Sequence, residues 1–161
     1  MKLRNRVFAA LIAASAINAI AGQARYRGEE RGTPLIPAHV NAKWQQECGS
    51  CHIAYPPGLL PGASWKKVMS GLDNHFGTNA SLSEPDATII TDFLIKNASH
   101  QWTANTAPLR ITEARWYNSR HSELSPAVWK RASVKSRSNC SACHKDAAKG
   151  VFNERGVKVP H

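Results

Sequence analysis

The chain has 161 residues, with 21 Lys+Arg against 11 Asp+Glu, 42% hydrophobic residues and 20% charged ones. That length admits one ordinary domain or two very small lobes and excludes a large multidomain enzyme. The apolar share is enough to build a core, which excludes a disordered tail.

In chain order, the first element is a targeting segment. Lys2, Arg4 and Arg6 precede an unbroken apolar or small run from Val7 to Ile17, and Ala19-Ile20-Ala21 and Gly22-Gln23-Ala24 each offer a small-x-small cleavage site. A membrane span takes about 20 residues, more than this run supplies. Residues 1–21 are therefore expected to be a signal peptide cut near 21–24, with the mature protein exported, in a bacterium to the periplasm. An uncleaved Val7–Ile20 anchor, as in a subunit of a membrane-bound complex, is the alternative.

Residues 22–40 form an extended, solvated lead-in. A helix is expected from Asn41 through Cys48 to His52, carrying Trp44. The stretch Tyr55-Pro56-Pro57-Gly58-Leu59-Leu60-Pro61-Gly62 is a rigid loop, with Tyr55, Leu59 and Leu60 expected to cover the face or edge of a bound group. Ser64 is expected to cap a helix running through Leu72, and Ser83 a further helix with Glu84 and Pro85 in its first turn and Ile89, Ile90, Phe93 and Leu94 inward. Residues 99–109 are a linker. A helix follows over Thr112–His121, then a short turn at Ser125–Trp129 and a helix from Ser136 through Cys140 to Lys149, ended by Gly150. With no useful strand alternation, the expected fold is all-α: a small two-lobed protein with lobes at 41–98 and 110–161. Neither lobe holds enough apolar residues for a self-sufficient core.

What fills that deficit is indicated by the cysteines. All four fall in two identical frames, Cys48-Gly49-Ser50-Cys51-His52 and Cys140-Ser141-Ala142-Cys143-His144. C-x-x-C-H is the attachment site of c-type haem. Two thiols take thioether bonds to the porphyrin, and the next residue turns its imidazole onto the iron. A disulfide scaffold gives no reason for a histidine after both pairs. Zinc ribbons space their pairs about 15–20 residues apart, whereas 88 residues separate Cys51 from Cys140. A thioredoxin-like pair lacks its βαβ surroundings. Two covalent haems bound through Cys48, Cys51, His52 and Cys140, Cys143, His144 are therefore expected. They would serve as much of the core, so the haem-free chain is expected to be largely unfolded.

The opposite face of each iron needs a ligand, and methionine raises the potential relative to a second histidine. Met69 lies on the apolar stripe Trp65, Val68, Met69, Leu72, a packing position. His75 stands 23 residues after His52, and His121 stands 23 residues before His144. Both end helices beside aromatic residues and are the candidates for the distal metal positions. His100 is the substitute for either, while His39 and His161 lie near the mature termini.

Charge divides the chain as well. From Arg25 to Leu109 there are seven basic and seven acidic residues; from Arg110 to His161 there are eleven basic and four acidic. The whole mature excess lies in the last third, a field that steers acidic partners. No nucleic-acid motif accompanies it, and an exported protein rarely meets nucleic acid. Membrane contact is expected to be transient at most, and the protein to be a monomer.

The residues Ala54-Tyr55-Pro56-Pro57-x-Leu59-Leu60-Pro61, Ser64-Trp65, His75-Phe76-Gly77, Arg110-Ile111-Thr112 and Cys143-His144-Lys145-x-Ala147-x-x-Gly150 resemble the dihaem cytochrome c family, DHC. The resemblance runs from about Ala42 to Pro160. It implies a periplasmic electron carrier with two bis-histidine haems, His52 with His75 and His144 with His121. It also implies partners: an oxygen-binding monohaem cytochrome, the sphaeroides haem protein, as acceptor, and a membrane cytochrome b as donor. Catalysis is not expected, since two six-coordinate irons leave no open position; a small haem reductase or peroxidase with one open iron is the rival. The basic last third is expected to raise the potential of the second haem above that of the first.

Overall fold

The structure is a computed structural model and describes residues 35–100 and 107–161. The expected signal peptide, all but the end of the expected lead-in and the middle of the expected linker lie outside the described residues. Helix α1 spans Ala42–Cys48. The side chain of Asn41 caps it by accepting the Trp44 N–H at 2.9 Å. It ends at Cys48, short of the expected His52, because Gly49 closes the last turn onto the Gln45 carbonyl.

Pro56 and Pro57 break the chain into a 3₁₀ turn at Pro57–Leu59, and the Trp65 indole N–H donates to the Pro57 carbonyl at 2.7 Å. Helix α2, Gly62–Met69, then begins after Pro61 rather than at Ser64. Pro61 presets the entry angle, and its carbonyl takes the N–H groups of Ser64 and Trp65. Ser64 is fully buried instead, its hydroxyl donating to the Pro108 carbonyl at 2.6 Å.

Helix α3, Glu84–Lys96, carries the expected Ser83 cap, Pro85 in the first turn, acids at its start and Lys96 at its end. Ile90 and Leu94, one turn apart, are buried, while Ile89 is exposed because it sits one step round the helix from that stripe. α3 packs on α1 and α2, and Trp44, Leu60, Trp65, Ile90, Leu94 and Ala98 form a contiguous cluster, with Met69 packed on its flank. Leu60 thus belongs to a protein core, and this lobe has more of one than its composition promised.

The remaining chain is made of short pieces. A 3₁₀ turn at Ile111–Glu113 breaks at Ala114, whose extended ψ of 137° divides the expected Thr112–His121 helix. Helix α4 covers only Arg115–Arg120, and α5 is one turn at Pro126–Trp129. The expected helix from Ser136 to Lys149 is replaced by 3₁₀ turns at Cys140–Ala142 and Ala147–Lys149. Side chains there compete for the backbone: Ser136 Oγ accepts the Ser138 N–H at 3.1 Å, and Asn139 Nδ2 donates to the Val134 carbonyl at 3.0 Å. Gly150 does end the last of these turns, at φ 73°. Among the described residues there are isolated β-bridges but no strand, so the fold is all-α. No helix among them is long and apolar enough to cross a membrane.

Candidate haem sites

Cys48 closes α1 against the apolar cluster, and the turn through Gly49 and Ser50 brings Cys51 and His52 round to the surface. Among the described residues the four cysteines form no disulfide. Burial, with Glu47 beside it, pushes the Cys48 thiol up to about 11, and burial does the same to Cys140.

His52 directs Nδ1 at the Ile53 carbonyl, 2.7 Å away, which holds a proton on that nitrogen and frees Nε2 for a metal. Its ring stacks on Tyr55 and faces His75, with ring centres 6.3 Å apart and planes 30° from parallel. His75 follows the 3₁₀ turn Leu72–Asn74 and opens a tight reversal in which Thr78 N–H returns to the His75 carbonyl at 3.2 Å. That reversal needs positive φ at both central residues: 99° at Gly77, and 54° at Phe76, where a side chain is strained. Burial first, then His52 and Arg110, lower the His75 pKa, favouring the neutral imidazole that can ligate a metal. A cavity of about 490 Å³ opens beside His52, walled by Ile36 and Val40 of the lead-in, Trp44, Gln45, Ile53 and Ala54 of the first lobe and Ala148 and Lys149 of the second.

The second site repeats the pairing with different supports. His144 N–H closes onto the Cys140 carbonyl at 2.8 Å, and the C-terminal segment folds back so that Lys158 N–H reaches the Cys143 carbonyl at 2.9 Å. His121 caps the end of α4 with Nδ1 2.8 Å from the Tyr117 carbonyl. Its ring stacks on Tyr117 and meets Trp129 edge-on. The His121 and His144 ring centres lie 6.2 Å apart with planes at 79°. Phe152 packs against His144, whose Nδ1 is buried without a hydrogen-bond partner among the described residues. Burial, then His121, lower the His144 pKa.

An imidazole nitrogen bonds a metal at about 2 Å and lies about 1 Å in front of its ring centre, so two imidazoles trans across one iron have centres about 6 Å apart. Both pairs fit that spacing. His100, by contrast, is exposed beyond the end of α3. No sequence pattern signals Phe152 against His144, nor Arg137 lying over Tyr117 and Trp129. Both contacts depend on the C-terminal turns.

Residues 44–152 match the family model described as dihaem cytochrome c. Among solved structures, the chain is similar to a dihaem cytochrome c from Rhodobacter sphaeroides, 38% identical over 70% of this chain and 97% of that one, with a TM-score of 0.64. A second structure, of DHC purified from Rhodobacter sphaeroides, is 41% identical over 72% of this chain and 100% of that one, with a TM-score of 0.63. A dihaem cytochrome c from Shewanella baltica OS155 is 38% identical over 74% of this chain and 93% of that one, with a TM-score of 0.67. A search of the curated proteins finds no match.

Proposed function

The chain belongs to the dihaem cytochrome c family and carries two covalently attached haem c groups; from that premise of electron transfer we propose that both irons are low-spin and bis-histidine. His52 with His75 would hold the first and His144 with His121 the second. What carries this reading is the facing of the four rings in pairs 6.3 and 6.2 Å apart. The haems supply the one-electron chemistry. The chain attaches them through Cys48, Cys51, Cys140 and Cys143, closes both irons to small molecules and sets their potentials by ligation, burial and charge.

The second haem takes the higher potential for two reasons. The Arg110–His161 segment holds eleven basic residues against four acidic ones. His144 Nδ1 also lacks the carbonyl acceptor that His52 and His121 each have, which leaves it the poorer electron donor to its iron.

The export signal, Lys2, Arg4 and Arg6 followed by the apolar run Val7–Ile17, directs the mature protein to the periplasm. There the basic last third docks an acidic redox partner through weak, salt-sensitive contacts. An oxygen-binding monohaem cytochrome of the sphaeroides haem protein type is the proposed acceptor, and a membrane cytochrome b the proposed donor. The test is low-temperature EPR and optical spectroscopy of the protein matured with both haems, with carbon monoxide added after reduction. Low-spin signals only, no far-red methionine band and no shift with carbon monoxide are expected. A high-spin fraction, or a shift equivalent to one haem, would overturn the ligand assignment and bring an open-iron enzyme forward.

A further inference from the structure

Two tyrosines tie the histidine pairs to one another. The Tyr55 ring stacks on His52, centres 4.7 Å apart and planes at 30°, and its hydroxyl donates to the Ser138 carbonyl at 2.7 Å. The Tyr117 ring stacks on His121, centres 4.2 Å apart and planes at 25°, and its hydroxyl donates to the Arg137 carbonyl at 2.6 Å. Those two acceptors belong to consecutive residues. The Ser138 carbonyl also takes the Cys140 N–H at 3.0 Å and lies 3.6 Å from Cys140 Sγ, at the start of the second attachment motif.

A tyrosine hydroxyl bonded to a carbonyl is ordinarily just a satisfied polar tip on a packed ring. Here each ring lies flat on a histidine of a different site, and the two hydroxyls converge on neighbouring peptide groups. An unbroken series of stacked rings and short hydrogen bonds therefore runs His52, Tyr55, Ser138, Arg137, Tyr117, His121. We propose that Tyr55 and Tyr117, joined through the Arg137–Ser138 peptide, are the path by which electrons pass between the two haems. Electron tunnelling decays less steeply along bonded and hydrogen-bonded links than across open gaps, and in this series only the two ring stacks, 4.7 and 4.2 Å between centres, are crossed through space. One electron leaves one iron and arrives at the other, so the first is oxidised as the second is reduced and no outside oxidant enters. Neither tyrosine is itself oxidised, and both hydroxyl protons stay where they are.

This inference rests on the bis-histidine reading, and the experiment separates the two. The holoprotein and its Tyr55→Phe, Tyr117→Phe and double variants are partly reduced by a flash, and equilibration between the haems is followed by freeze-quench EPR. Each substitution keeps the ring and removes only the hydroxyl. Each single variant is expected to slow equilibration by about ten-fold, and the double variant further than either single, because the couplings of successive links in one series multiply. Equilibrium potentials and EPR line shapes are expected to stay at the parent values. Unchanged rates would overturn the proposal, since electrons would then pass directly between the haems. Slowed rates with shifted potentials or altered line shapes would also overturn it, the tyrosines then serving only to dock the lobes. A parent protein with a high-spin or carbon monoxide-binding haem sinks the bis-histidine reading; a closed parent with unaltered variant kinetics sinks the path alone.

Discussion

The Arg110 guanidinium lies 3.9 Å from the centre of the Phe76 ring, so the residue opening the second lobe rests on the residue after His75. Phe76 holds φ 54°, a conformation that costs a non-glycine residue about 1–2 kcal/mol. The contact with Arg110 offsets part of that strain, and an exposed cation–π pair contributes about 0.5–1 kcal/mol. Arg110→Ala is expected to lower the thermal midpoint by roughly 2–5 °C. Phe76→Ala keeps the strain and loses the contact, whereas Phe76→Gly loses both. Thermal melts should therefore rank Phe76→Gly above Phe76→Ala; the reverse order would show that the backbone strain is not felt.

Gly77 and Gly150 both have positive φ, yet a side chain would meet different surroundings at each. At Gly77, φ 99°, an added Cβ meets nothing within 4 Å. At Gly150, φ 73°, it would come within 2.8 Å of Ile36 Cγ1 and 3.0 Å of the Ile36 nitrogen. That approach follows from the hydrogen bond of Leu35 N–H to the Gly150 carbonyl at 3.0 Å. Gly77→Ala is expected to cost about 1 kcal/mol and Gly150→Ala about 2–3 kcal/mol. Urea unfolding of the two variants measures the difference, and equal losses would mean the lead-in does not pack on Gly150 in solution.

Much of this arrangement was legible in the sequence because it rests on local chemistry. Asn41 and Ser83 cap helices where their side chains predict, and Ile90 and Leu94 fall on the inward stripe of α3. Helix ends and spacing singled out His75 and His121, and the family resemblance implied their partners; the structure sets the His75 ring 6.3 Å from that of His52 and the His121 ring 6.2 Å from that of His144. What could not be read was decided by competition or by distant contacts. Ser64 looks like a cap but is drawn inward by the Pro108 carbonyl, 44 residues away. Ser136, Ser138 and Asn139 turn the backbone from helix to turns through their own side chains. Tyr55 was expected only to cover a bound group; its hydrogen bond to Ser138 spans 83 residues and has no local signal.

The lobes differ in what holds them. The first buries Trp44, Leu60, Trp65, Ile90 and Leu94, whereas the second buries Ala114, Tyr117, Val128, Val134 and Ala147, mostly smaller side chains. Removing the second attachment with Cys140→Ser and Cys143→Ser together is expected to leave one haem per chain. Amide exchange over residues 110–161 should then quicken by about ten-fold or more while α1, α2 and α3 keep their protection. Hydrogen-exchange mass spectrometry reads both halves in one experiment, and uniform loss across the chain would contradict the separate core of the first lobe.

Asp86 ties α3 to α1 through Lys43, with oxygen and nitrogen 3.2 Å apart. The hydrogen bond from Lys43, then that with Ser83, hold the Asp86 carboxyl below its ordinary pKa. A depressed carboxylate contributes its stability in full above the unfolded value and loses it as pH falls through the folded one. Stability is therefore expected to decline as the solution is acidified through the carboxylate range, and Asp86→Asn to flatten that decline slightly. Denaturant midpoints across the acid range test it; an identical acid limb in the variant would remove Asp86 from the cause.

The two histidine pairs differ most in the angle between their rings, 30° for His52 with His75 and 79° for His121 with His144. With both pairs on their irons as proposed, each imidazole would donate π density to the iron orbital that lies perpendicular to its own plane. Near-parallel rings both raise the same orbital, which separates it from its partner and quenches orbital angular momentum. Near-perpendicular rings raise both orbitals alike, leave them almost degenerate and retain that momentum. The oxidised protein is therefore expected to show two low-spin EPR signals of equal weight. The first haem should give an ordinary rhombic spectrum, and the second a strongly anisotropic one dominated by a single large g value. His75→Ala should remove the rhombic signal and spare the anisotropic one, and His121→Ala the reverse. Two superimposable rhombic signals would mean that attachment of the second haem turns His121 and His144 toward a common plane.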